Sequence, residues 1–232
     1  MDLEYAERYE TFRKEVRAFL DEHKDDRPKA SFSEAEPSAV SDWLSLQIEH
    51  GYWARTIPKE YGGYGAEPDL LETVIMDEEF NRAHVTRGFA AQGPAMLVPT
   101  LLAHGTEEQK RRWVAPTLRR ETIWCQGYSE PDAGSDLASL QTKATEDGDD
   151  FLINGQKIWT STADTSHMMF ALVRTEPDAP KHAGISYILL PMDSEGIEVR
   201  PLRTMSGKIG ENSFNQVFFK DVRVPKANVV GA

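Results

Sequence analysis

Apolar residues recur at intervals of three and four through the first 120 positions and give way to short, β-rich runs after Glu121. Tyr5, Tyr9, Phe12, Val16, Phe19 and Leu20 fall on one face of a helix by this spacing. A polar stretch from Asp25 to Pro37 interrupts it. The next periodic segment, Ser38 to His50, places Val40, Trp43, Leu44 and Ile48 together and ends at Gly51, a suitable C-terminal cap. Pro58 to Gly65 carries one proline and three glycines, so it is expected to be a loop. A third helix is expected to begin near Pro68 and to run through Leu70, Leu71, Val74, Ile75 and Phe80. A fourth covers Ala95 to His104. Thr106 and Gln109 have the capping-box spacing, in which each side chain satisfies a backbone N–H of the other, and a last helix follows through Trp113 and Leu118.

The segments 122–128, 140–146, 151–153, 156–161, 168–174, 184–190, 196–202 and 214–223 are short and rich in β-branched or aromatic residues. Asp147-Gly148 and Asn154-Gly155 read as tight hairpins between them. The expected fold class is therefore α+β: an all-helical domain over residues 1–120, followed over 121–232 by an antiparallel sandwich or barrel-like domain.

Composition narrows the function more than it names it. The 232 residues carry a net charge of −12, which argues against a general affinity for nucleic acid. The basic run Lys110, Arg111, Arg112 reads as a solvated helix face. No run approaches the roughly 18 apolar residues of a membrane span, and the charged N-terminus is unlike a signal peptide. A cytoplasmic location, or the mitochondrial matrix in a eukaryote, is the resulting expectation. The single cysteine, Cys125, reads as a buried thiol, and the six histidines lack metal-ligand spacing, so no metal is expected.

Two windows can carry chemistry. In the first, Trp124 to Asp136, a strand opens into a loop of small and hydroxyl residues. Its backbone N–H groups around Ala133 to Asp136, with the hydroxyls of Ser129 and Ser135, suit an anion or a polar ring edge. An ordinary turn with a side-chain bond from Asp132 or Asp136 accounts for the same composition. In the second window, Asn154 to Thr162, strand alternation puts Trp159 and Ser161 on one face. That pairing suits a planar heteroaromatic ligand, and equally a core tryptophan beside a solvent-facing hydroxyl. There is no GxGxxG and no βαβ pattern, so a Rossmann site is excluded.

Taken together, the windows resemble the flavin-binding segments of the acyl-CoA dehydrogenase family. Ser129-Glu130-Pro131-Asp132-Ala133-Gly134-Ser135-Asp136 is similar to the family's S/T-E-P-x-A-G-S-D signature, and Asn154 to Ser161 to N-G-x-K-x-W-x-T/S. Pro58 to Gly63, Gly105 to Lys110 and Phe219 to Pro225 extend the likeness in the same order along the chain. Asp132 stands where glycine is usual, which implies an altered loop backbone or an altered anion preference.

The resemblance implies FAD as cofactor. Gln126, Tyr128 and Ser129 would line the pyrimidine side of its ring, and Ser135 would meet the pyrophosphate or the pantetheine arm of the substrate. Trp159 would pack on the flavin, with Thr160 and Ser161 at its edge. Donors fixed at the ring edge stabilise the charge that develops on reduction. The reaction implied is α,β-dehydrogenation of an acyl-CoA to the trans-2-enoyl-CoA, as in fatty acid β-oxidation. An electron-transfer flavoprotein or similar acceptor, and a homo- or hetero-oligomer such as a tetramer, are the implied partners.

The family's catalytic glutamate belongs to a C-terminal helical domain, so no catalytic residue is expected in this chain, and Glu130 reads as structural. Without that domain, faces such as Leu70/Val74 and Leu97/Leu101 are expected to be partly uncovered. Other readings on the same scaffold are a non-catalytic subunit of a heteromeric dehydrogenase, a flavin monooxygenase or nitroalkane-oxidase-like relative, and a flavin-free binding module.

Overall fold

Three helices, α1 (Glu7–Glu22), α2 (Pro37–Glu49) and α3 (Leu70–Arg82), bury one stripe each in the computed structural model, which describes residues 6–205 and 214–231. Val16, Phe19 and Leu20 of α1 meet Trp43 of α2, Met76 and Phe80 of α3, and Tyr52 from the connection between α2 and α3. Phe19 lies 5.8 Å from Trp43 in a stacked pair, so the predicted periodicity is the one that makes this core. Tyr5 lies outside the described residues.

Helix α3 starts two residues later than Pro68 suggests. Asp69 is its N-cap, and its Oδ1 accepts from the backbone N–H groups of Leu71 (2.9 Å) and Glu72 (3.1 Å). A carboxylate that takes up two otherwise orphan donors at the positive end of a helix outweighs the preference of proline for the first turn. Between α1 and α3 lies an ionic cluster. The buried Glu79 carboxylate accepts from Arg13 (2.8 Å), Arg17 (2.8 and 2.9 Å) and Arg82 (2.7 Å). On the outer side of α3, Leu70, Leu71 and Val74 are exposed.

These helices belong to a compact unit formed by Met1–Ala90 and Val114–Glu121; the second unit comprises Ala91–Trp113 and Thr122–Ala232. The second unit contains a π-helical turn, Gly93–Leu97, that runs into α4 (Val98–His104), and the start of α5 (Glu107–Leu118). Leu97 and Leu101 are fully buried here, unlike the expectation that they are partly uncovered. The capping box at α5 is formed: Thr106 N–H donates to Gln109 Oε1 (3.1 Å), and Gln109 N–H to Thr106 Oγ1 (3.2 Å).

Among the described residues, this unit further contains one sheet of eight strands: β1 (Trp124–Gly127), β2 (Lys143–Asp147), β3 (Asp150–Ser161), β4 (Met168–Arg174), β5 (Ile185–Pro191), β6 (Ile197–Pro201), β7 (Phe214–Pro225) and β8 (Val229–Val230). Their order is β6-β7-β3-β2-β4-β5-β8, with β1 beside β4. Most neighbours are antiparallel, but β1 and β2 each pair with β4 in parallel, which makes the sheet mixed. Its core is Cys125, Met169 and Ala171 with Ile153, Val217, Val222 and Ile188. Cys125 is fully buried, and burial pushes its thiol up to about 12, so it is inert packing.

Asp147-Gly148 forms the expected turn between β2 and β3, with Gly148 at φ +63°. Asn154-Gly155 does not. It lies inside β3, where the pairing with β7 shifts register between Ile153 and Gly155. Asn154 accepts from Asp221 N–H (2.9 Å) and donates to its carboxylate (3.0 Å), which ties the irregularity to β7. Gly155 sits at φ +151°, and a Cβ there would come within 2.6 Å of Thr142 Oγ1. Glycine is required by close approach of the segment leading into β2, and the Asn-Gly pair marks a bulge.

Candidate functional site

The second window lies at the end of β3. Alternation along this strand puts Phe151, Ile153 and Lys157 inside and then fails, because register shifts again between Lys157 and Thr160. Trp159 adopts φ +61°, a left-handed conformation that is rare for a bulky residue. The shift turns the Trp159 ring outward, where 58% of the residue is exposed, while Thr160 is buried and Ser161 half-buried. Trp159 and Ser161 therefore do not share a face by simple alternation; the bulge arranges residues 159–161 individually. Phe214 of β7, itself 43% exposed, meets Trp159 edge-on with centroids 5.9 Å apart. Asn215 is fully buried beneath them, and its Nδ2 donates to Thr160 O (3.1 Å). It holds the bulge from the neighbouring strand.

The first window leaves β1 and turns sharply. Glu130 and Ala133 bond each other's backbones (2.8 and 3.1 Å) across Pro131-Asp132, and Asp132 keeps a negative φ. The departure from glycine at Asp132 therefore costs no backbone strain. Gln126 is half-buried and its Nε2 lies 3.2 Å from Met96 Sδ. The half-buried Tyr128 packs edge-on against Phe170 (5.9 Å) and Tyr187 (6.4 Å). Ser129 is half-buried and Ser135 is exposed on the loop. Asp136 turns away to Lys181 (2.6 Å) and Ser139 (2.5 Å).

The two windows are joined directly. Ile158 N–H donates to Ser129 O (2.9 Å), and Lys157 Nζ donates to Tyr128 O (3.1 Å) and Glu130 Oε1 (2.8 Å). Gln126, Tyr128 and Ser129 are thereby set beside Trp159, Thr160 and Ser161, whereas Ser135 has no hydrogen bond to any of them. Sequence alone assigns no role to Lys157 beyond its place in the signature, and none to Asn215. The inward phase of Phe151 and Ile153 reaches Lys157 two pleats later, so a buried lysine was foreseeable; Asn215, on the partner strand of a bulge, carried no such signal.

The arrangement fits a flat ligand with polar edges. Thr160 Oγ1 is buried without a hydrogen-bond partner among the described residues, a costly state for a hydroxyl unless a bound group satisfies it. An exposed indole ring stands next to it. Glu130 is unsuited to proton abstraction: its carboxylate accepts from Lys157, Gln141 N–H (2.5 Å) and Thr142 N–H (2.9 Å). Burial opposes its charge, but the Lys157 ammonium with these donors outweighs burial and holds the carboxyl below its usual range. Among the described residues no group of three or more metal-ligating side chains converges, and no helix is long and apolar enough to cross a membrane.

Known proteins match along the whole of this framework. The family profile described as acyl-CoA dehydrogenase, N-terminal domain, matches residues 6–121, and that of the acyl-CoA dehydrogenase middle domain matches residues 125–222. The chain is 47% identical to acyl-CoA dehydrogenase IpdE1 of Mycobacterium tuberculosis over 75% of its own length and 44% of that protein's. Two solved structures superpose at 34% identity over all of this chain. They are the ChsE4-ChsE5 complex of Mycobacterium tuberculosis, with a TM-score of 0.75 and 58% of its chain covered, and the Tcur3481-Tcur3483 steroid ACAD, with 0.73 and 59%. The chain thus spans about half the length of the relatives it matches.

Proposed function

Because the chain belongs to the acyl-CoA dehydrogenase family, we propose that it provides the FAD-binding framework of an enzyme that converts an acyl-CoA thioester to its trans-2-enoyl-CoA. The observation that carries this reading is the bulge at the end of β3, which offers the Trp159 ring and leaves the Thr160 hydroxyl buried and unsatisfied. Bound FAD would supply the two-electron acceptor for the oxidation. Trp159 packs against the flavin, Thr160 and Ser161 donate at its edge, and Ser129 with Gln126 and Tyr128 bounds its pyrimidine side. Hydroxyls fixed by a bulge and by a strand end need no reorganisation when charge develops beside them. Ser135, on the exposed loop, contacts the pyrophosphate or the pantetheine arm. The α-proton would be taken by a base other than the carboxylates of these two windows, and an electron-transfer flavoprotein or similar acceptor would take up the electrons.

Fluorescence titration of FAD into the purified protein tests the framework. Quenching of flavin emission with saturable 1:1 stoichiometry is expected, and no binding up to high micromolar FAD sinks the reading.

A heteromeric form, with this chain paired to a second family member, is favoured by the two-component names of both solved neighbours, one of them a steroid ACAD. A bulky, steroid-derived acyl group then becomes the substrate class to assay first. Co-expression with a second family member from the same source, followed by size-exclusion chromatography, is expected to give a mixed oligomer. Migration of the two as separate species counts against it.

A further inference from the structure

We propose that Lys157 and Glu130 are positioning residues: a buried ammonium–carboxylate couple that fixes the spacing between the two flavin-facing segments and so sets how tightly the cofactor is held. The proposal rests on the FAD reading given above.

Lys157 has no exposed surface and Glu130 is almost fully buried, whereas Trp159 is exposed. Their contacts run along the seam between the windows. The Lys157 ammonium binds Tyr128 O at 3.1 Å and Glu130 Oε1 at 2.8 Å, one contact on each side of Ser129. Ser129 O receives Ile158 N–H, the residue after Lys157, at 2.9 Å. The turn preceding the loop is therefore clamped to β3 at three successive residues.

Glu130 also closes the far end of the loop. Its Oε2 takes Gln141 N–H and its Oε1 takes Thr142 N–H, eleven and twelve residues downstream. Thr142 is in turn against β3, its Oγ1 donating to Gln156 O at 3.3 Å. One carboxylate thus gathers the entry and exit of the loop that bears Ser135, and one ammonium fastens that loop to the strand that bears Trp159. An apolar pair of the same volume fills the space but leaves Tyr128 O and two backbone N–H groups without partners. That requirement explains why a full charge pair is kept in the interior, where desolvation makes charges costly.

The test uses Glu130→Gln, which preserves shape, Lys157→Met, and the double variant, each compared with wild type by FAD titration, flavin absorbance and amide hydrogen exchange of the unliganded protein. Glu130→Gln has one oxygen for three donors. Faster exchange at Gln141, Thr142 and Ile158 is expected, with at least tenfold weaker FAD binding and a loss of the resolved vibronic shoulder of the bound flavin. The double variant removes the unpaired charge that Lys157→Met leaves, so it should regain thermal stability relative to Lys157→Met without regaining FAD affinity. A role confined to stability predicts that affinity returns with stability, and that result overturns the proposal. Should the double variant fail to fold, Glu130→Gln decides by itself: unchanged exchange and FAD affinity within twofold of wild type overturn it. Should wild type bind no FAD, the cofactor reading falls, and the clamp is judged by exchange at these three amides alone, where rates unchanged by Glu130→Gln refute it.

Discussion

Trp159 combines an exposed ring with a backbone conformation unfavourable to any residue that has a Cβ. Such strain costs on the order of 1–3 kcal/mol and persists where the surroundings impose it, here the register shift and the Asn215 bond to Thr160 O. The ring and the backbone can be separated by experiment. Trp159→Ala and Trp159→Gly both remove the ring and are expected to weaken FAD binding roughly tenfold, in line with the loss of about 1–3 kcal/mol of aromatic contact. Only glycine relieves the left-handed conformation, so Trp159→Gly should be about 1 kcal/mol more stable to urea than Trp159→Ala. Equal stability of the two would show that the bulge relaxes when the ring is gone.

Among the elements, the α1–α3 contact depends on one carboxylate. Arg17 contributes most to holding Glu79 at about 2, against the opposing effect of burial, with Arg13 and Arg82 adding to it. The folded carboxyl titrates below its unfolded value of about 4.3, so this contribution is complete above that pH and is lost as pH falls towards 2. Glu79→Gln should lower the denaturation midpoint at pH 7 and flatten the acid limb of the stability profile between about pH 4.5 and 2.5. An unaltered acid limb would assign the loss to other groups.

Elements whose signal is local were legible in the sequence: the α1 and α2 stripes, the capping box at Thr106, the buried Cys125. So was the succession of a helical part and a β part, matched by the solved relatives. What was not legible depends on a neighbouring strand. Asn154-Gly155 has turn composition, but β7 continues past it and the glycine serves close approach to Thr142. Alternation placed Trp159 and Ser161 together, and a register shift that only the β3–β7 ladder reveals separates them. The pairing of β1 with β4 joins residues more than forty apart, beyond the reach of any periodicity.

For the molecule as a whole, the 232-residue polypeptide loaded with FAD is expected to form no enoyl-CoA from any acyl-CoA offered. In the two windows Glu130 is saturated by three donors, Asp136 is paired with Lys181, and Asp132 is an exposed turn residue. A general base must come within hydrogen-bond reach of the proton it takes, and none of these carboxylates is free to do so in the seam between the two windows. An artificial-dye assay of wild type checks this; dye reduction by wild type that disappears in Glu130→Gln when both are fully loaded with FAD would restore Glu130 as a base.

The parallel pairing of β1 with β4 also bears on how the site comes into being. The β2–β3 and β4–β5 ladders join neighbouring segments and pay little loop-closure entropy, whereas β1 must wait for β4 to be in place before it has an edge to join. Tyr128 and Ser129 follow directly on β1, so their docking onto β3 is expected to accompany that late pairing. In refolding from urea, the far-ultraviolet signal of the sheet should therefore recover ahead of FAD quenching, and the lag should not shorten when FAD is raised. That outcome is expected if the cofactor binds a finished seat; quenching that keeps pace with sheet formation and accelerates with FAD would mean that the flavin recruits β1.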